Sequence, residues 1–178
     1  MNFFINFLTF FRLFSGPIIC GMLLLTFYPS IAFTLFIFAS LSDYFDGYLA
    51  RKYSLETAFG EVLDPIADKI LTLFMLITLM LYFKSPFIAI VGGVILSREF
   101  WVSALRDLNA RNRNAIATKV TLLAKLKTFS QFLTFACFLF GILINNSLII
   151  FLSNFLLLFA MALSLKTALD YTKATFQD

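Results

Sequence analysis

Two pairs of aspartates have the spacing of a reactive cluster: Asp43 and Asp46 lie three residues apart, Asp64 and Asp68 four apart. In a helix turning about 100° per residue, Asp43, Asp46, Gly47, Ala50 and Arg51 share an arc of about 140°. Gly60, Asp64 and Asp68, each four residues from the next, drift by only about 40° per step and also share a face. Two such helices facing each other bring four carboxylates together. Ionised carboxylates at close range repel, and each is costly to withdraw from water, so a cationic partner is required. The 178 residues contain no His, which excludes imidazole ligands, His general bases and Ser-His-Asp triads. A purely oxygen-donor site suits Mg²⁺ or Mn²⁺, and two divalent ions balance four negative charges. The plainer alternative is a set of interfacial acids paired with Arg51 and Lys69. Asp64 alone also fits a helix N-cap, with Pro65 in the first helical position.

Gly47, Ala50 and Gly60 on the same faces admit a closely approaching backbone or a flat ligand, or serve small-xxx-small packing between helices. Arg51, at the end of the acidic stripe, is placed to meet phosphate. Further on, Arg98 falls inside an apolar run, where a charge is costly and usually faces a cavity. It is the leading candidate for binding an acceptor phosphate, with Arg106, Lys125 and Lys127 completing the pocket from adjacent helix ends. Each has a second reading: Arg98 paired internally with an acid such as Glu99, and the other three as topological positive charge. Arg111 and Arg113 read as loop or lipid-headgroup contacts. No Ser, Cys or His stands where a covalent nucleophile is needed, which favours a single in-line displacement.

These side chains need rigid elements to hold them, and composition says which. The chain is 61% hydrophobic and 13% charged, whereas soluble domains carry about a quarter charged residues. With 25 Phe in long apolar runs, it reads as an all-α polytopic membrane protein, one domain over residues 1–178. A span needs about 20 apolar residues, and six runs qualify as candidates: 8–28, 31–50, 65–83, 86–105, 128–144 and 147–168. Tyr28-Pro29-Ser30, Lys84-Ser85-Pro86 and Asn145-Asn146-Ser147 are tight polar turns, while 51–64 and 106–127 are longer and charged. Arg51, Lys52, Arg106, Arg111, Arg113, Lys119, Lys125 and Lys127 fall in those two longer connections, Lys166 and Lys173 near the C-terminus, and Lys84 alone on the other side. The positive-inside rule therefore faces both termini and the acidic motif to the cytoplasm. The same rule accounts for the net charge of +4 without a nucleic-acid partner. Met1 to Phe11 lacks a basic n-region and a cleavage site and is expected to be retained. Cys20 and Cys137 read as packing residues. A cation- or proton-coupled transporter would also use intramembrane carboxylates, but it predicts internal repeats or paired broken helices, and neither is visible.

The run Asp43-x2-Asp46-Gly47-x2-Ala50-Arg51-x8-Gly60-x3-Asp64-x3-Asp68 matches the signature of the CDP-alcohol phosphotransferases without gap or substitution. The six-span layout resembles that family across the whole chain. Three further segments resemble the branch that joins CDP-diacylglycerol to glycerol 3-phosphate and releases CMP. They are Asn6-x2-Thr9-x2-Arg12, Ser97-Arg98-Glu99 through Ser103-Ala104-Leu105-Arg106, and Lys125-Leu126-Lys127-Thr128 with Gln131. Ile5 stands where that branch usually has a proline. The resemblance implies a cytoplasm-facing cavity in which Asp43, Asp46 and Asp64 hold two Mg²⁺ or Mn²⁺ ions. Asp68 would join them as ligand and take the acceptor proton, while Gly47, Ala50, Arg51, Gly60, Asn6 and Thr9 line the CDP-lipid. It further implies a homodimer among membrane lipids, most readily in a bacterial cytoplasmic membrane. The basic pocket argues only for a phosphorylated acceptor, so inositol phosphate stays open beside glycerol 3-phosphate, as do serine and phosphatidylglycerol on family grounds.

Overall fold

A computed structural model describes residues 2–53, 58–111 and 122–176, with the side chains of 2–6, 43–53, 58–59 and 61 outside the description. Among the described residues there are six α-helices and no strand. They are α1 (Asn2–Gly21), α2 (Pro29–Tyr53), α3 (Ala58–Phe83), α4 (Pro86–Arg111), α5 (Leu122–Leu143) and α6 (Ser147–Phe176), with a π-helical turn, Met22–Thr26, closing α1. Five have the length and hydropathy to cross a membrane; the apolar part of α2, Pro29–Ser42, is shorter. Their outer surfaces expose large apolar side chains such as Leu25, Ile90, Phe100, Phe129 and Phe159. A water-soluble monomer does not tolerate apolar surface on that scale.

The three tight turns stop helices by a common device. Phe27, Lys84 and Asn145 take left-handed backbone, with φ of 54°, 48° and 51°. At Asn145 the stop is a Schellman motif: Asn146 N–H donates to the Gly141 carbonyl at 2.9 Å and Asn145 N–H to the Ile142 carbonyl at 3.2 Å, satisfying carbonyls left over at the helix end. The Asn146 side chain then caps the next helix, Oδ1 accepting from the N–H groups of Leu148 and Ile149 at 3.0 and 3.3 Å. Pro29 and Pro86 occupy the first positions of α2 and α4, where a missing N–H costs nothing.

The helices run past the apolar stretches that identify them. α3 begins at Ala58 and carries Pro65 in its interior, so Asp64 is a helical residue and not an N-cap. Hydropathy marks where side chains leave water, whereas the backbone ladder continues into the polar boundary as long as its own hydrogen bonds are met. α4 extends to Arg111 and α6 to Phe176 for the same reason.

α1 packs on α2 and α3, α3 on α4, α4 on α6, α2 on α5, and α5 folds back on α6. The core is Ile19, Leu23, Phe36, Leu71, Met75, Leu79, Ile95, Phe135, Phe138, Leu139 and Leu157 with their neighbours. Phe36 meets Phe132 and Phe135 edge-on at 6.2 Å each, the geometry that ring quadrupoles favour. Where α1 crosses α3 the contact is backbone-close: a Cβ on Gly16 would lie 3.1 Å from Phe74 Cβ and 3.3 Å from Leu71 Cα.

Candidate active site

Above that crossing, toward the helix starts, α1 and α3 exchange two polar rungs. The Thr9 hydroxyl donates to Asp64 Oδ1 at 2.8 Å, and Arg12 donates to Asp68 Oδ1 at 2.8 Å. Thr9 and Arg12 are three residues apart and Asp64 and Asp68 four, so each pair lies on one helix face, and the rungs make α1 and α3 parallel. Arg12 is fully buried, whereas the Asp68 side chain keeps 32% of its surface open. The salt bridge thus has its cation in the protein and its anion toward a cavity.

That cavity holds about 770 Å³ and is lined by Asp64 and Asp68 of α3, Arg98, Glu99 and Arg106 of α4, and Lys125, Lys127 and Gln131 of α5, with Ser40 of α2. Five basic side chains (Lys69, Arg98, Arg106, Lys125, Lys127) and three acidic ones (Asp64, Asp68, Glu99) line it. The excess positive charge favours anionic ligands. Arg98 and Lys127 are buried, while Arg106 and Lys125 are exposed.

Arg98 is held on every side. Its Nε donates to the Ser164 carbonyl at 2.8 Å, one terminal nitrogen to the Thr167 hydroxyl, and the other to Glu99 Oε1 at 3.1 Å. The same Glu99 oxygen accepts from Lys127 Nζ. One carboxylate therefore bridges two buried cations, so Arg98 lines the cavity and is also paired with Glu99, as its second reading from the sequence had it. Trp101 Nε1 to Thr172 Oγ1 at 3.0 Å and Asn109 Nδ2 to Thr175 Oγ1 at 2.8 Å continue the α4–α6 seam, which makes these helices parallel as well. Arg106 and Lys125 make no ion pair among the described residues. Arg111 pairs with Asp107 at 3.4 Å, both largely exposed, a contact of little energetic weight. Arg113 lies outside the described residues.

Asp43, Asp46, Gly47, Ala50 and Arg51 all fall in the last turns of α2, and Asn6 near the start of α1; their side chains are outside the description. Gly60 lies in the first turn of α3, one turn before Asp64. Among the described residues no three acidic, His or Cys side chains form a metal cluster. The donors that are described nonetheless suit a hard divalent cation. Two carboxylates share one helix face, and Asp64 Oδ1 is fixed by a hydroxyl from the neighbouring helix, as supporting shells fix metal-ligating carboxylates. Its Oδ2 has no protein donor among the described residues.

Periodicity did not give the rungs between helices: Thr9, named from the sequence as a CDP-lipid contact, hydrogen-bonds Asp64, and Arg12, a marker of the resemblance, holds Asp68. Glu99, offered from the sequence as a partner of Arg98, also accepts from Lys127. Arg98 inside an apolar run signalled that a partner was needed. Nothing in the periodicity of α6 signalled that the Ser164 carbonyl and Thr167 would provide part of it.

Comparison with known proteins shows the family of the chain. Residues 4–166 match the CDP-alcohol phosphatidyltransferase family. The CDP-diacylglycerol–glycerol-3-phosphate 3-phosphatidyltransferase of Rickettsia bellii is 39% identical over 176 residues, covering 95% of this chain and 93% of that protein. The protein of that name from Rickettsia typhi is 39% identical over 178 residues, covering 95% and 94%. One from Wigglesworthia glossinidia brevipalpis is 36% identical over 177 residues, covering 96% and 93%. With its acid-bearing helix face, its basic cavity wall and a match over nearly its whole length, the chain belongs to the CDP-alcohol phosphatidyltransferase family.

Proposed function

We propose that this membrane enzyme transfers the phosphatidyl group of CDP-diacylglycerol to sn-glycerol 3-phosphate, giving phosphatidylglycerophosphate and CMP. The observation that carries the proposal is that one cavity is lined both by Asp64 and Asp68 and by the cationic pair Arg98 and Lys127. An acid wall can work on a diphosphate and its attacking hydroxyl, and a basic wall can hold a phosphorylated acceptor. The names of the relatives support the choice of glycerol 3-phosphate.

In this reading Asp43, Asp46, Asp64 and Asp68 hold two Mg²⁺ or Mn²⁺ ions. When bound, such ions neutralise the diphosphate and improve CMP as a leaving group. Ser40, one turn before Asp43 on α2, lines the cavity, which supports placing the end of α2 there. Gly47, Ala50, Arg51 and Gly60 accommodate the cytidine nucleotide. Arg98, Lys127, Arg106 and Lys125 receive the acceptor phosphate and aim its primary hydroxyl at the β-phosphorus. Asp68, fixed by Arg12, takes the hydroxyl proton as the new P–O bond forms and the bond to CMP breaks. An apolar groove lined by Ile66, Ile70, Leu73, Leu96 and Phe100 shares Lys69 and Glu99 with the cavity and offers a path for an acyl chain. In this reading α2 is the sixth span and the site opens to the cytoplasm, a side supported by the distribution of Lys and Arg, and the bacterial relatives support a bacterial membrane.

The test is an acceptor panel: purified protein, CDP-diacylglycerol and Mg²⁺ or Mn²⁺, scored by CMP and by lipid product. Glycerol 3-phosphate should give the fastest release. Faster turnover with inositol phosphate, serine or phosphatidylglycerol would replace the acceptor, and no CMP with any of them would favour a carrier.

A further inference from the structure

Gln131 lies on α5 one helical turn beyond Lys127, lining the same cavity. It is 3% exposed, yet its side-chain nitrogen has no hydrogen-bond partner among the described residues. Its neighbours are satisfied locally: Ser130 Oγ donates to the Lys127 carbonyl and Thr134 Oγ1 to the Ser130 carbonyl. Leaving a buried amide unpaired is costly, so an apolar side chain of the same shape would pack there at least as well. The one other buried polar side-chain atom of the lining without a partner among the described residues is Ser40 Oγ. Residues four apart on a helix have Cβ atoms about 5–6 Å apart. A ligand whose phosphate meets Lys127 therefore brings its next carbons and their substituents alongside Gln131.

We infer that Gln131 reads the non-reacting hydroxyl of the acceptor, the one on the carbon between the phosphate arm and the attacking hydroxyl. The inference rests on the proposed acceptor reaction and deepens it. The phosphate supplies affinity through the cations, and the amide supplies discrimination, because a site built to hydrogen-bond a hydroxyl is left with a buried unpaired group by a substrate lacking it. Gln131 touches substrate without reacting, so its removal weakens acceptor recognition while the groups that move the proton stay in place.

The experiment compares glycerol 3-phosphate with 3-hydroxypropyl phosphate, which keeps the phosphate and the reacting hydroxyl but lacks the middle one, in the native enzyme and in Gln131→Met. The native enzyme is expected to prefer glycerol 3-phosphate by about 10–100-fold in kcat/KM. In Gln131→Met that preference should shrink to within about threefold, through a raised KM for glycerol 3-phosphate and little change for the analogue, while the thermal midpoint holds or rises. A preference that persists in the variant, or an equal loss toward both acceptors, would overturn the inference. The native enzyme alone is a second test that needs no variant to fold: equal use of both acceptors removes the role of Gln131 and leaves the proposed reaction intact. No CMP release with either acceptor removes the proposed reaction itself.

Discussion

Among the described residues, Asp64, Asp68 and Glu99 each have a partner on another helix, and this separates the expected effects of substitution. Asp68→Asn is expected to lower CMP release by about 10²–10⁴-fold, the scale of a lost general base, while CDP-lipid binding survives; normal turnover in the purified variant would remove Asp68 from that role. Glu99 is different, because it bridges Arg98 and Lys127 and is itself mostly buried. Glu99→Ala leaves two buried cations facing each other and should destabilise the protein by about 3–5 kcal/mol, read as a lowered thermal midpoint in detergent. At this scale the sequence was legible for the acids: their spacing alone grouped them on helix faces, and Asp64 and Asp68 do share one. It was not legible for the pairing of Thr9 and Arg12 with those acids, since a hydrogen bond between residues 55 or 56 apart depends on which helices become neighbours, and periodicity within a helix does not encode that.

Between elements, the crossing of α1 and α3 at Gly16 sets the register of both rungs. A larger side chain there must push α3 away, because the atoms it would meet include backbone. Gly16→Val is expected to cost about 10²-fold in activity by misplacing Asp64 and Asp68 by an ångström or so, with CMP release as the readout and retained helix content by circular dichroism as the control. Asn146→Ala, far from the cavity, removes a helix cap worth about 1 kcal/mol and should lower the thermal midpoint without changing kcat. Among the described residues each of the six apolar runs corresponds to a helix, although the π-helical turn Met22–Thr26 had no signal in the sequence. Element ends were not readable. The sequence offered Asp64 as a cap and Pro65 as a first residue, and α3 instead begins at Ala58 and carries that proline inside, because apolar content marks the lipid-facing length and not the hydrogen-bonded one.

For the molecule as a whole, the proposed reaction requires divalent cations, so chelation by EDTA should abolish CMP release and added Mg²⁺ or Mn²⁺ should restore it. Activity persisting after exhaustive chelation would refute the assigned chemistry. The whole also depends on its last element, since the Ser164 carbonyl and the Thr167 hydroxyl that seat Arg98 both come from α6. The acidic motif lies on α2 and α3, whereas the seat of Arg98 is completed from α6, more than 90 residues further along the chain. A chain cut before residue 147 is therefore expected to keep every aspartate of the motif and yet release no CMP, because the groups that seat Arg98 are gone.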